Sequence, residues 1–438
     1  MKKLLVILMV LAFAAPVIPA MADDALDLSG AMRVRAWKVD NSDYTDDDTA
    51  DLSYWDQRMR IQGVINAADG VKAVFRVDLA EDVWGSANWA THRYNEGSEL
   101  QVDRAYLDVT KGIVNVKAGQ QYMGLGNSYA YDNNQTGLQI SLATPLTVRV
   151  GYAKIDENST STTTYSVDPG PDGILGTADD ITVPSTAVGT DRNDDPNTSD
   201  DTDHYFIDLG YKTDVFSINA FYAMQTDGDD ATQDEPTLMG ALASFGVGPV
   251  NVVAELDMFG GESGPSGATV DYTGIQFIAN ASMKFSDQFT GGAVLIYSDG
   301  EDDADEEKIT RFPNAFFGSM YYSDLGAFHT DIAPLGDGDV FDPADTNSGA
   351  MGISLYGNFT VMEGLKLAAQ YAYLTNTEDG TTTGDKFESG YTANVSVDYT
   401  LAPNTTLAAV YLIADFDSEL GFDAERLSVL AARLQVKF

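Results

Sequence analysis

The chain has 438 residues, no cysteine and a formal net charge of −42. The lack of thiols excludes disulfides, thiolate metal centres and CxxCH haem attachment, and the charge excludes nucleic acid as a partner, because phosphates would be repelled. An aromatic content of 11%, with 22 Tyr and 20 Phe, argues against a wholly disordered acidic chain.

Met1-Lys-Lys3, the apolar run Leu4–Ala15 and the small-x-small sequence Ala20-Met-Ala22 follow the order of an export signal peptide. Residues 1–22 are therefore set aside, and 23–438 are read as one domain. No later segment approaches the roughly 18 apolar residues a spanning helix requires. Instead, segments of about ten residues with alternating polarity recur to the end of the chain. They lie near 26–39, 53–66, 71–81, 99–110, 113–120, 134–143, 146–155, 203–213 and 215–225. The series continues near 236–247, 250–259, 270–285, 289–298, 349–361, 365–375, 389–401, 405–415 and 424–438. In the last of these, Leu430, Ala432, Leu434, Val436 and Phe438 share one parity, while Arg433, Gln435 and Lys437 share the other. A period of two marks a strand with one apolar and one polar face. The expected fold is all-β: a transmembrane antiparallel barrel of about eighteen strands, with sixteen left open by the short segments around 113–143.

The connections alternate in length. Short ones such as Lys111-Gly112, Gly248-Pro249 and Ala402-Pro-Asn404 carry turn residues. Long ones hold much of the acid, at Asp43–Asp51, Asp156–Asp203, Asp227–Glu235, Asp299–Glu307 and Asp337–Asp345. That asymmetry places the short turns on the periplasmic side and the long loops, chiefly 156–203 and 299–348, outside. Tyr211, Phe216, Phe285, Phe289, Phe359 and Tyr399 sit beside short turns, and Trp55, Phe259 and Tyr297 near long loops. Two aromatic bands are what the two membrane interfaces select.

Basic residues are scarce, yet many fall on the polar parity of the early segments: Arg33, Arg35, Arg58, Arg60, Arg76, Arg104, Lys117 and Arg149. The polar face must be the lumen, since an Arg facing lipid costs about 2–4 kcal/mol near the midplane. The later segments offer mostly Asn, Gln, Ser and Thr there, so one wall is expected to be basic and the opposite wall near neutral or acidic. If the last strand closes on the first, Arg433 and Lys437 join Arg33 and Arg35. Some of these bases can instead brace the wall by pairing with Asp56, Asp78, Asp103 or Asp108.

Gln120–Asn133 reads as the third long connection and a candidate constriction loop, with Tyr122, Asn127, Tyr131 and its single acid Asp132; the loop 156–203 is its rival. Within that rival, Asp168, Asp172 and Asp179 take positions 1, 5 and 12 of a twelve-residue calcium loop, with Gly173 at its sharp turn. Calcium is the one cofactor the sequence suggests. His92, His204 and His329 stand in no catalytic motif, so no enzyme is expected.

Arg104-Ala-Tyr-Leu-Asp-Val and Val116-Lys-Ala-Gly-Gln-Gln121, leading into the third connection, resemble the Gram-negative bacterial outer-membrane porin superfamily. So do the export signal, the alternating architecture and the terminal Phe438. The resemblance implies a homotrimeric, water-filled channel in the outer membrane, reached through the periplasm, for passive diffusion of small hydrophilic solutes and ions. It also implies outer-membrane lipid as the surroundings, and recognition by the assembly machinery through the strand ending in Phe438. The alternatives are a substrate-specific channel for sugars or organic acids, or an adhesive barrel using its long loops, of which Ile309–Thr330 is rich in Phe and Tyr.

Overall fold

Alternating polarity becomes a wall of strands with opposed faces. In the computed structural model of the chain the described residues are 25–41, 51–84, 100–156, 164–168, 181–185, 202–227, 234–264, 269–300, 308–310, 349–378, 388–417 and 426–438. The expected signal peptide and most of the acidic connections lie outside them, as do His92, His329 and 311–330.

Eighteen wall strands occur among the described residues. The first nine are β1 (Leu26–Asp40), β2 (Leu52–Ala68), β3 (Val71–Val83), β4 (Leu100–Lys111), β5 (Val114–Leu125), β6 (Tyr131–Leu142), β7 (Leu146–Asp156), β8 (Thr202–Lys212) and β9 (Phe216–Asp227). The others are β10 (Asp234–Val247), β11 (Val250–Ser263), β12 (Ile275–Lys284), β13 (Phe289–Ser298), β14 (Ala350–Met362), β15 (Leu365–Thr375), β16 (Ser389–Ala402), β17 (Thr405–Asp417) and β18 (Leu427–Lys437). Each pairs antiparallel with the next. β18 returns to β1, from Ser428 opposite Asp40 to Lys437 opposite Ala31. The sheet is a closed barrel of eighteen strands.

The two faces are inside-out relative to a water-soluble protein. Leu295, Leu355, Val395 and Leu430 are 49–55% exposed on the outer face. Their immediate neighbours Val294, Ser354, Asn394 and Val429 are buried on the inner one. A continuous apolar outer band of this size is an aggregation surface in water and a lipid contact in a bilayer. Rings cluster at its two rims. Tyr211–Phe216 and Phe285–Phe289 lie at the short-turn end, with centroids 5.9 and 5.4 Å apart. Trp55–Trp84 and Tyr152–Tyr205, both 5.4 Å, mark the other end. Phe259 is a correction: it faces inward and is buried.

The tightest connections use the expected residues. Gly112 and Asn404 adopt φ of 61°, a left-handed conformation that tight hairpin turns require. The expected strand 270–285 is broken at Thr273-Gly274, leaving a short piece, Val270–Tyr272, against Lys308–Ile309. At the break, the Gly274 carbonyl accepts from the Phe259 N–H at 2.8 Å.

Val395 stands near the middle of β16 on the lipid face. Val395→Arg is expected to lower the unfolding free energy in lipid vesicles by about 2–4 kcal/mol, measured by urea denaturation. An unchanged value would mean that this face does not meet lipid.

Candidate functional site

Across β18, β1, β2, β3 and β4 the register assembles arginines side by side on the inner face. Arg33 stands opposite Arg58 on one side and Gln435 on the other; Arg35 stands opposite Asp56 and Arg433. The Arg35 guanidinium donates from Nε and Nη2 to the two oxygens of Asp56, at 2.8 and 2.9 Å. Trp37 Nε1 donates to the same carboxylate at 2.9 Å, and the guanidinium lies 5.0 Å from the Trp37 ring centre. Arg60 makes the same fork to Asp78, with both bonds at 2.6 Å. Arg76 Nε donates to Asp103. Bidentate pairs of this kind fix the plane of the guanidinium as well as its place. Seven arginines, Arg33, Arg35, Arg58, Arg60, Arg76, Arg104 and Arg433, thus share the strip with the carboxylates Asp56, Asp78 and Asp103. Lys117 of β5, opposite Asp108 of β4, holds its ammonium 5.7 Å from the Tyr106 ring centre.

The segment expected to be a long loop is largely a hairpin. β5 runs on to Leu125 and β6 begins at Tyr131, so only residues 126–130 form the turn. β4 stops pairing with β5 at Ala105–Gln120, and β7 stops pairing with β6 at Lys154–Thr136. Beyond those points β5 and β6 pair only with each other, from Gln121–Gln135 to Leu125–Tyr131. The hairpin has left the wall and entered the lumen. One face packs Met123, Leu125, Ala130 and Tyr131 against Ala153, Phe206, Phe221, Ala223, Leu238 and Phe259, the inner lining of β7–β11. The other brings the Tyr122 ring centre within 5.2 Å of the Arg104 guanidinium, and Arg104 Nε donates to Asn134 at 3.1 Å. Asp132 lies on that same face, opposite Gly124.

Directed bonds hold it there. Arg149 Nη2 donates to the Gly124 carbonyl at 2.7 Å and to Asp208 at 2.9 Å. At the tip, the Asn127 backbone N–H donates to Glu255 Oε2 of β11 at 2.6 Å. Tyr131 donates to Gln135 Oε1 at 2.8 Å, with its hydroxyl 3.2 Å from His204 Nδ1. His204, fully buried, is 3.3 Å from Gln135 Nε2 and 2.9 Å from Gln225 Oε1. The network assigns the imidazole proton to Nε2. Its nitrogens are occupied by structural contacts.

On the far wall, Ser354, Gln370, Thr392 and Asn394 are buried among apolar side chains. Towards the long-connection end it is apolar, with Val294, Ile296, Leu374, Val410, Leu412 and Val429 buried together and Tyr129 of the hairpin turn packed on them. At the short-turn end, Thr290, Asn358, Lys366, Asp398, Thr400, Arg433 and Lys437 surround a cavity of about 800 Å³. Sequence signals for this existed. The run Leu407–Ala414 is apolar on both parities, and Glu255 and Asp257 stand on the inward parity of β11. Among the calcium-loop residues, Asp168 ends a short strand pairing with Ile181–Ser185, while Asp172 and Asp179 lie outside the described residues.

Gly126 and Gly112 adopt similar left-handed φ, 56° and 61°. An added Cβ at Gly126 would meet the Glu255 carboxylate, whereas at Gly112 it meets nothing within 4 Å. Both Gly→Ala variants should lose about 1–2 kcal/mol to backbone strain, and Gly126→Ala more by the collision. Equal losses on urea unfolding in vesicles would show that the tip does not seat on Glu255.

The chain was compared with known proteins. A family model described as Gram-negative porin matches residues 7–312. No curated protein matches by sequence. Among solved structures, OccK9 (OpdG) of Pseudomonas aeruginosa superposes with a TM-score of 0.56 at 14% identity, over 94% of this chain and 98% of that one. A BenF-like porin from Pseudomonas fluorescens Pf-5 gives 0.56 at 12% identity, over 95% and 99%. OccK2 (OpdF) of Pseudomonas aeruginosa in complex with glucuronate gives 0.52 at 12% identity, over 94% and 98%. At these identities the likeness is one of fold, and the family model carries the assignment. The chain belongs to the Gram-negative porins, passive channels of the outer membrane.

Proposed function

We propose that the lumen admits small hydrophilic solutes by passive diffusion, with no chemical step, and favours those that present a carboxylate to the basic strip. The observation that carries this reading is the register that sets Arg33, Arg58, Arg35 and Arg433 beside one another over the closure of the barrel. Arginines fixed along one wall of a narrow polar passage orient dipolar solutes and favour anions. The hairpin opposite supplies the narrowing. One structure similar in fold holds glucuronate, a sugar acid, which fits the same chemistry.

Three further readings accompany this one. The short turns face the periplasm, with the acidic connections outside drawing cations to the mouth over a range of roughly 8–10 Å. The working unit is a homotrimer, assembled after removal of residues 1–22 and recognition of the strand ending in Phe438. The loop bearing Asp168, Asp172 and Asp179 binds calcium weakly from outside; absence of any heat on millimolar calcium titration would remove that claim.

Reversal potentials across planar bilayers under a salt gradient test the main reading. Wild-type channels are expected to favour the anion. Arg33→Ser/Arg58→Ser/Arg433→Ser should move the reversal potential towards the cation side and abolish current block by a sugar acid. Unchanged selectivity in that variant would show that the strip does not govern permeation.

A further inference from the structure

At the short-turn end of the far wall, two opposite charges face each other without pairing. Lys366 of β15 stands opposite Asp398 of β16, Asp398 opposite Ala408 of β17, and Ala408 opposite Arg433 of β18. Lys366 shares its parity with the buried Gln370, and Asp398 with the buried Ser396, so both leave the inner face. Directly opposed side chains on one face of a sheet are within reach of each other. Yet Lys366 and Asp398 form no salt bridge among the described residues. Ala408 is too short to fill the space between Asp398 and Arg433, whose strands stand about 10 Å apart. Lys366 and Arg433 nevertheless both act on the Asp398 charge.

These side chains share the lining of the 800 Å³ cavity with Lys437. Two residues nearer the turns, on the same face, the row Thr400, Thr406 and Gln435 adds hydroxyl and amide groups. The other carboxylate on the lining, Asp287, is already engaged by Lys284 at 2.8 Å. The volume is that of a site for one small molecule. A ligand that accepts from the Lys366 ammonium and donates to the Asp398 carboxylate from an adjacent atom closes the open rung.

We propose that this cavity binds a small hydroxylated carboxylate, an α-hydroxy or sugar acid, as a solute station at the short-turn mouth. The solute's carboxylate accepts from Lys366, with Arg433 and Lys437 on the same lining, and its neighbouring hydroxyl donates to Asp398. A plain carboxylate leaves Asp398 without a donor, and an uncharged polyol leaves Lys366 without a counter-charge. Only a solute with both groups satisfies both sides of the rung. Arg433 also stands opposite Arg35, so the station carries the basic strip round the closure to the mouth. It rests on the proposed passage of such solutes through the lumen, but its own residues Lys366 and Asp398 lie outside the strip.

Protection of lysines from acetylation tests it. The full chain in detergent micelles is labelled with N-hydroxysuccinimidyl acetate over a titration with sodium gluconate, at ionic strength held constant with chloride. Mass spectrometry reads the rate at each lysine. The Lys366 rate should fall along a saturable curve, to about a tenth at roughly ten times the midpoint, because that fraction of sites stays empty. Lys212, exposed beside a short turn but off the cavity, should keep its rate. Sorbitol, acetate and glycine should each protect Lys366 less than gluconate does. Protection of Lys366 no greater than that of Lys212 would overturn the proposal, and so would equal protection by any of those three solutes. Anion-selective channels without this protection would remove the station and leave the strip's role standing. Protection in channels without anion preference would do the reverse.

Discussion

Everything in this protein depends on the closure of β18 onto β1. In hydrocarbon no water is available to a backbone N–H or carbonyl, so a spanning sheet can have no open edge. Ten residue pairs join the two terminal strands, and Gly30 and Phe438 exchange backbone bonds of 2.8 and 3.0 Å at the end of the seam. Once the sheet closes, the two parities have different solvents. The outer one must be apolar, and the inner one is free to carry charge. The arginines that define the lumen are affordable only because this closure shields them from lipid.

The second organising event is a departure from that closure. Residues 121–125 and 131–135 give up pairing to β4 and β7 and keep only each other. Backbone groups released this way need other partners. Arg149 takes the Gly124 carbonyl and Glu255 takes the Asn127 N–H. Apolar packing against β7–β11 supplies the rest. The hairpin divides the lumen unequally, with the basic strip reaching it through Arg104 on one side and an apolar lining on the other. A solute with one anionic group and one apolar face would find a surface for each.

How much of this was legible follows from who the neighbours of each face are. Where one face meets lipid and the other the lumen, alternation was clear, as in Leu430–Phe438, and the strand positions were readable to within a few residues. Where a strand leaves the wall and packs on protein instead of lipid, the code fades. Gln121, Met123 and Leu125 mix polar and apolar side chains on the parity that packs against the inner lining of β7–β11. A strand extension therefore read as loop. The acids that receive the hairpin were missed because Glu255 and Asp257 look like any lumenal polar positions, and only the fold brings Gly126 to them. The basic residues were placed by parity alone, but the forked pairs Arg35–Asp56 and Arg60–Asp78 needed the register.

Single-channel recording in planar bilayers tests the central claim most directly, comparing wild-type protein with a variant whose residues 123–133 are replaced by a two-residue Asn-Gly turn. A barrel narrowed by this hairpin predicts discrete, ohmic current steps in the wild type and larger steps in the variant. Equal step sizes, or no steps from correctly folded wild-type protein, would contradict it.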